Sequence, residues 1–112
     1  MKVSGFTYLS DFVFLDDTST DMVSNEFSVN PNAEALTLQV TGESIPTLTV
    51  QGVVDSTSDQ WVPLATLNQS NYALGNTITA AGIFSISVSG VKKVRISSSG
   101  AVGGFKAYGL FV

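Results

Sequence analysis

Cysteine and histidine are both missing from the 112 residues. Without cysteine no disulfide cross-links the fold and no thiolate serves as nucleophile or metal ligand. Without histidine the chain lacks the commonest general base and the commonest zinc ligand. Charge is scarce, with Asp, Glu, Lys and Arg at 12%, and serine and threonine supply much of the polar surface instead. No apolar run approaches the ~20 residues that a membrane-spanning helix needs. "MKVSG" opens on one lysine, but the apolar stretch and small-residue cleavage site of a signal peptide do not follow it. A soluble protein made in a cytosol, with no membrane partner, is the expectation.

What is present is enough for one domain, residues 1–112, with a single core. Hydrophobic residues make up 44% and the net charge is only −4, which excludes a disordered chain. The charge is unevenly placed. All nine acids fall in residues 1–59 beside Lys2, giving −8, whereas residues 60–112 hold Lys92, Lys93, Arg95 and Lys106 and sum to +4. The two halves either pair within the fold or form acidic and basic faces that stack head to tail. Four bases in an acidic protein are too small a footprint for nucleic acid.

Period-2 alternation dominates. "FSISVS" sets Phe84, Ile86 and Val88 against three serines, and "ALTLQVT" sets Leu36, Leu38 and Val40 against Thr37, Gln39 and Thr41. "TLTVQGVV" places Leu48, Val50 and Val54 on one face, "EFSVN" offers Phe27 and Val29, and "KVRIS" offers Val94 and Ile96 with Lys93 and Arg95 outward. This is the pattern of half-buried antiparallel strands. Turn residues separate the runs: "NPNAE", "TGESIP", "DSTSDQ", "NQSN", "AAG", "SGVK" and "SSSGAVGG". Strands are expected near 6–15, 26–30, 35–41, 47–54, 61–67, 72–79, 83–89, 92–98 and 104–112. Such spacing predicts an all-β, antiparallel β-sandwich of jelly-roll type. Its core should comprise Phe27, Val29, Leu36, Leu38, Val40, Leu48, Val50, Phe84, Ile86, Val88, Val94, Ile96 and Phe111.

Two segments are apolar on both faces. In "FTYLSDFVFL", Phe6, Tyr8, Phe12 and Phe14 share one parity, and Leu9, Val13 and Leu15 share the other. In "FKAYGLFV", Phe105, Ala107 and Phe111 oppose Tyr108, Leu110 and Val112. A strand apolar on both sides must be covered on both sides, by the chain itself or by a partner. The expectation is an oligomer or docking interface made by Phe6, Tyr8, Leu9, Phe12, Val13, Phe14, Leu15, Tyr108, Leu110 and Val112. Residues 1–20 would act as an extra strand or arm reaching that partner.

Signals for chemistry are few. No histidine exists to activate a serine, no "GxSxG" elbow occurs, and the adjacent Asp16 and Asp17 would point to opposite faces of a strand. No enzyme and no cofactor are expected. "LDDTSTD" and "DSTSD" gather hard oxygen ligands that suit Ca²⁺, but neither has EF-hand spacing and both read as turn and capping residues; no metal is expected. Trp61, the only tryptophan, has two readings. It is a packing anchor at a hairpin corner, with Pro63 marking an edge or bulge, or a stacking platform for a glycan with Asp55, Asp59 and Gln60 beside it.

The stretch from an alternating strand through "GVVDSTSDQWVPL" to "GIFSISVSGVKKVRISSSGAVGGFKAYGLF" resembles small β-sandwich domains of tailed-bacteriophage virion proteins, which recur in head-decoration, head-fibre, neck and tail components. Asp55, Trp61, Pro63, Leu64, Gly82, Phe84, Val88, Gly90, Val94 and Arg95 carry the likeness, over residues 35–112. The chain departs from it at Ser56, where glycine is common, and in a longer loop. The resemblance implies a non-enzymatic structural protein of a virion, made in the bacterial host cytoplasm. It would form a homo-oligomer, as a trimer or ring, and dock on other virion structural proteins. The alternative it leaves open is a carbohydrate-binding sandwich for receptor or glycan attachment.

Overall fold

The structure is a computed structural model that describes residues 11–16, 19–55, 57 and 59–112. Among the described residues ten strands form in chain order: β1 (Phe12–Asp16), β2 (Phe27–Ser28), β3 (Ala35–Gly42), β4 (Thr47–Val53), β5 (Val62–Pro63), β6 (Thr66–Asn68), β7 (Leu74–Gly75), β8 (Gly82–Ser87), β9 (Lys93–Ser99) and β10 (Phe105–Phe111). Among the described residues there is no helix. The strands make two antiparallel sheets, a six-stranded one in the order β1-β10-β3-β8-β6-β7 and a four-stranded one in the order β2-β9-β4-β5. The pairs β1 with β10, β2 with β9, β3 with β8 and β4 with β5 are nested. The chain is thus a long hairpin ribbon folded over on itself, with β6 and β7 as an added hairpin.

Alternation sets the packing as expected. Leu36, Leu38 and Val40 of β3 and Phe84 and Ile86 of β8 point inward from one sheet, and Leu48, Val50, Val94 and Ile96 from the other; all join one apolar core. Phe27, Val29 and Phe111 are only partly buried and rim that core. The core also takes Phe14, Leu15, Ala33, Ile78, Phe105 and Ala107, which the alternation argument left out. Val54 is exposed, because β4 ends at Val53 and Gly52 holds the inward position after Val50.

Three strand boundaries differ from the sequence pattern. Residues 61–67 are two strands in different sheets. β5 pairs with β4 at Gln51 and Gly52, and β6 pairs with β8 at Leu67 and Asn68, so the chain crosses between sheets at Leu64 and Ala65, just past Pro63. Residues 72–79 shrink to β7 and a single bridge, in which Ile78 and Leu48 exchange backbone hydrogen bonds of 2.8 Å each way. Residues 26–30 shrink to two. Upstream of β2 the edge of β9 is met by a bridge between Val23 and Ser97, with backbone bonds from the Ser24 amide to Ile96 O and from the Ser98 amide to Met22 O, and by side chains: Ser24 Oγ accepts from the Ile96 amide at 2.9 Å, and Ser98 Oγ from the Met22 amide at 3.1 Å.

The two-sided pattern of β1 is resolved by a bulge. Phe12 faces Gly109 and Val13 faces Tyr108, but Leu15 faces Ala107, so the register shifts between Val13 and Leu15. The extra residue lets both Phe14 and Leu15 turn inward; they are 6% and 3% exposed. Phe12, Phe14, Phe27 and Phe111 form an aromatic cluster there, with ring centroids 4.6–5.1 Å apart in tilted and edge-on pairs. Gly109 makes room for it, since a Cβ at that position would lie 2.6 Å from Phe14 Cε2 and 2.9 Å from Phe12 Cε2.

The bulge makes adjacent residues unequal. Phe14→Ala should destabilise by ~3–5 kcal/mol through the cavity left, while Val13→Ala should stay within about 0.5 kcal/mol of wild type. Gly109→Ala should cost about 1–3 kcal/mol by overpacking. Urea unfolding followed by far-UV circular dichroism checks all three; equal effects at positions 13 and 14 would mean an unbulged strand.

Candidate docking face

Pairing register, not sequence distance, decides which side chains share an outer surface. On the outer face of the six-stranded sheet one row runs across four strands: Val13 (β1), Tyr108 (β10), Gln39 (β3) and Ile83 (β8). The next row runs across five: Leu110, Thr37, Ser85, Leu67 and Leu74. Neither row contains a charge. Val13 and Ile83 are 42% and 44% exposed, and Leu74 at the edge is 74% exposed. A groove of about 340 Å³ lies on this surface, lined by Asp11, Thr37, Gln39, Ile83, Tyr108 and Leu110 among others. Among the described residues, charge borders this face at Asp11, which lines the groove just before β1, and at the far end, where Asp16 and Lys106 face each other across β1 and β10 at 3.8 Å.

The outer face of the four-stranded sheet has the opposite character. Thr47 faces Ser99, Thr49 faces Ser97, Gln51 faces Arg95 and Val53 faces Lys93. Lys93 bonds Glu26 at 3.1 Å. Arg95 donates from Nε to Gln51 Oε1 at 2.8 Å, and its guanidinium lies 4.2 Å over the centre of the Trp61 ring.

The expected interface residues therefore separate. Val13, Tyr108 and Leu110 share the uncharged face, and Val112 stands half-exposed at the end of β10. Phe14 and Leu15 are corrected to core residues and Phe12 to the aromatic cluster, because the bulge turns them inward and leaves Val13 as the apolar residue on the outer face of β1. Phe6, Tyr8 and Leu9 lie outside the described residues. Ile83, Leu67 and Leu74 were missed. Ile83 was legible as the odd-parity apolar residue in "GIFSIS", but the other two needed the β6–β7 pairing.

Of the glycan constellation, Asp55 and Gln60 line one groove, whose lining does not include Trp61. Trp61 is half-buried, with Arg95 against one face of its ring. Asp55 Oδ1 accepts from the Thr57 amide at 2.9 Å and the Thr57 hydroxyl at 2.8 Å. Asp59 Oδ1 accepts from Gln60 Nε2 at 3.3 Å. The groove of Asp55 and Gln60 measures about 440 Å³ and is lined also by Val53, Val54, Val62 and Leu64. Of the acidic runs, Asp17, Thr18, Ser56 and Ser58 lie outside the described residues, and Asp21 Oδ1 accepts from the Ala101 amide at 2.9 Å. Among the described residues no group of three His, Cys, Asp or Glu side chains comes together to hold a metal.

The backbone amide of Thr57, and then its hydroxyl, hold the Asp55 carboxyl below its ordinary value. These bonds favour the ionised form, so they are in place above the ordinary carboxylate range and are lost as pH falls through the lowered value.

No family model and no curated protein sequence matches the chain. Two solved structures share its fold. One is the SPBc2 prophage-derived protein YomS, with a TM-score of 0.80 at 19% identity over 91% of this chain and 90% of that one. The other is the PBSX exported protein XepA, with a TM-score of 0.82 at 18% identity over 93% of this chain. The chain spans only 37% of the length of the latter.

The single tryptophan makes the Arg95 contact directly measurable. Arg95→Ala should shift Trp61 emission to the red, raise its quenching by acrylamide, and cost about 1 kcal/mol of stability. Unchanged emission would mean that the guanidinium does not cover the ring in solution. In an amide pH titration, the Thr57 resonance should move as Asp55 is protonated and should lose that response in Asp55→Asn.

Proposed function

We propose that this chain is a non-enzymatic building block of a tailed-phage particle. It is a jelly-roll domain that associates with copies of itself and docks on other particle proteins through the outer face of its six-stranded sheet. The observation that carries this reading is that face: two adjacent cross-strand rows, from Val13 to Ile83 and from Leu110 to Leu74, with no charge in either. Its exposed and half-exposed apolar side chains, Val13, Tyr108, Ile83, Leu110, Leu67 and Leu74, stand around the uncharged Gln39, Thr37 and Ser85, and a cluster of exposed apolar groups marks an interaction site. The nested strand pairing supports a jelly-roll reading, an architecture used in viral capsid domains.

The origins of the two fold relatives support the same reading, one being prophage-derived and the other an exported protein of PBSX. So does the likeness to virion β-sandwich domains carried by "DQWVPL" and the 82–95 segment. Glycan stacking uses one face of an aromatic ring, and Arg95 covers only one face of Trp61, so the choice rests on the sheet face: docking is the reading put forward, with localisation in the virion.

The test is fractionation of particles released by the strain that encodes the chain. Density-gradient-purified particles should contain it, and a folded Ile83→Asp, Leu110→Asp variant supplied in its place should be lost from them. Presence only in the soluble fraction, at particle-free density, would overturn the proposal.

A further inference from the structure

The longest stretch of the chain without a charged side chain runs from Gln60 to Val91. It supplies the whole of the β6–β7 hairpin, at the edge of the six-stranded sheet opposite β1. The loop of that hairpin, "QSNYA" at residues 69–73, is held firmly. The Tyr72 amide donates to Asn68 O at 2.7 Å, and the Asn68 amide to Ala73 O at 2.9 Å. Asn68 Oδ1 accepts from the Ser70 amide at 2.9 Å and the Ser70 hydroxyl at 2.8 Å, and Asn71 Oδ1 from the Ala73 amide at 2.9 Å. Both asparagines thus spend their oxygens on the loop. Neither Nδ2 group has a partner among the described residues.

Tyr72 is the one described non-glycine residue with a positive φ, at 59°, and it is 78% exposed. Folding gains little from an aromatic ring there, and glycine would take that backbone conformation without strain. A strained, exposed aromatic at a loop tip points to recognition. Its neighbour Ala73 lines a groove of about 150 Å³ together with Asn68, Gly75, Thr77, Thr79 and Phe84. A space of that size holds one six-membered ring. The groups around it select the ligand. An ionic one would find no countercharge on residues 60–91, and a purely apolar one would leave Asn68, Thr77 and Thr79 without partners. A sugar ring meets both conditions, since its C–H face lies against an aromatic or apolar surface while its hydroxyls bond amides and hydroxyls. We propose that this end of the β6–β7 hairpin binds a neutral saccharide, with one ring in the groove and the next against Tyr72. The site goes beyond the docking reading and does not rest on it.

Amide NMR of the folded protein tests it. At millimolar concentration at least one of cellobiose, maltose, lactose and N,N′-diacetylchitobiose should move the resonances of residues 68–79 and leave those of β4 and β9 in place. Glucuronate should move neither set. Tyr72→Gly should melt no lower than wild type, because glycine suits the positive φ, yet bind the responding sugar about tenfold more weakly through loss of the ring. Tyr72→Phe should keep the affinity. Leu110→Asp, on the docking face, should leave sugar binding unchanged, so the two readings fail separately. No response to any of the four sugars, a response centred on Trp61, an equal response to glucuronate, or a Tyr72→Gly variant that binds as wild type does overturns the inference.

Discussion

The inner rows of the two sheets close directly on one another. Leu36, Leu38 and Val40 come from one sheet and Leu48, Val50, Val94 and Ile96 from the other, and all are essentially inaccessible to water. No disulfide backs this contact. Each such side chain contributes about 1.5–3 kcal/mol relative to exposure, so one or two of them amount to a large part of what keeps a domain of this size folded. The same burial fixes register. A one-residue slip of β3 would exchange Leu38 for Gln39 at the core and put a polar amide where no partner awaits it. Once the inner rows are set, so are the outer ones. The juxtaposition of Tyr108, Gln39 and Ile83 on the surface is therefore a consequence of core packing, and needs no separate force to maintain it.

That dependence also explains how much of the molecule could be read from the chain. Strands with strict alternation, β3, β4, β8 and β9, were legible together with most of the core, because period 2 and burial are the same signal. The parity of Phe105 and Ala107 against Tyr108 and Leu110 was legible for the same reason. β1 was not, since a bulge between Val13 and Leu15 breaks the periodicity on which any such reading rests. The change of sheet after Pro63 was hidden by continuity of sequence: "WVPLATL" looks like one strand because both halves are apolar, and only hydrogen-bond partners on β4 and β8 tell them apart. Ile78 is buried through a single bridge to Leu48, with no strand around it to announce it. The docking face was half-legible. Val13, Tyr108 and Leu110 stood out as surplus apolar residues, whereas Leu67 and Leu74 join them only through a hairpin whose strands are two or three residues long.

The uneven charge along the sequence becomes ordinary once folded. Glu26 meets Lys93 and Asp16 meets Lys106, each pair joining the acidic first half to the basic second half across neighbouring strands. This is pairing within the fold, and exposed pairs of this kind contribute little to stability. Their position matters more than their energy. One sits on the four-stranded sheet and the other at the far end of the six-stranded one, so the central rows of the latter are left with Thr, Ser, Gln, Tyr and aliphatic groups alone. Arg95 is held on the opposite face by Gln51 and the Trp61 ring, which keeps the remaining strand-borne cation away from it as well.

A sandwich has two ways to associate, by extending a sheet at its edge or by covering a face, and the edges here are poorly suited to the first. β1 is bulged, which twists its free hydrogen-bonding groups out of line. β2, β5 and β7 are two residues long each, too short to template a partner strand. β5 also carries Pro63, which has no amide to donate. Beyond β2, Ser24 occupies the Ile96 amide through its hydroxyl. Edge pairing is thus blocked at every border among the described residues. The long strands β10, β3 and β8, each flanked by a strand on both sides, instead expose side chains. Association through them depends on shape and apolar contact, not on backbone hydrogen bonds. It is accordingly limited to partners that fit the grooved surface made by Tyr108, Leu110 and Ile83, and it leaves the sheets themselves closed to open-ended growth.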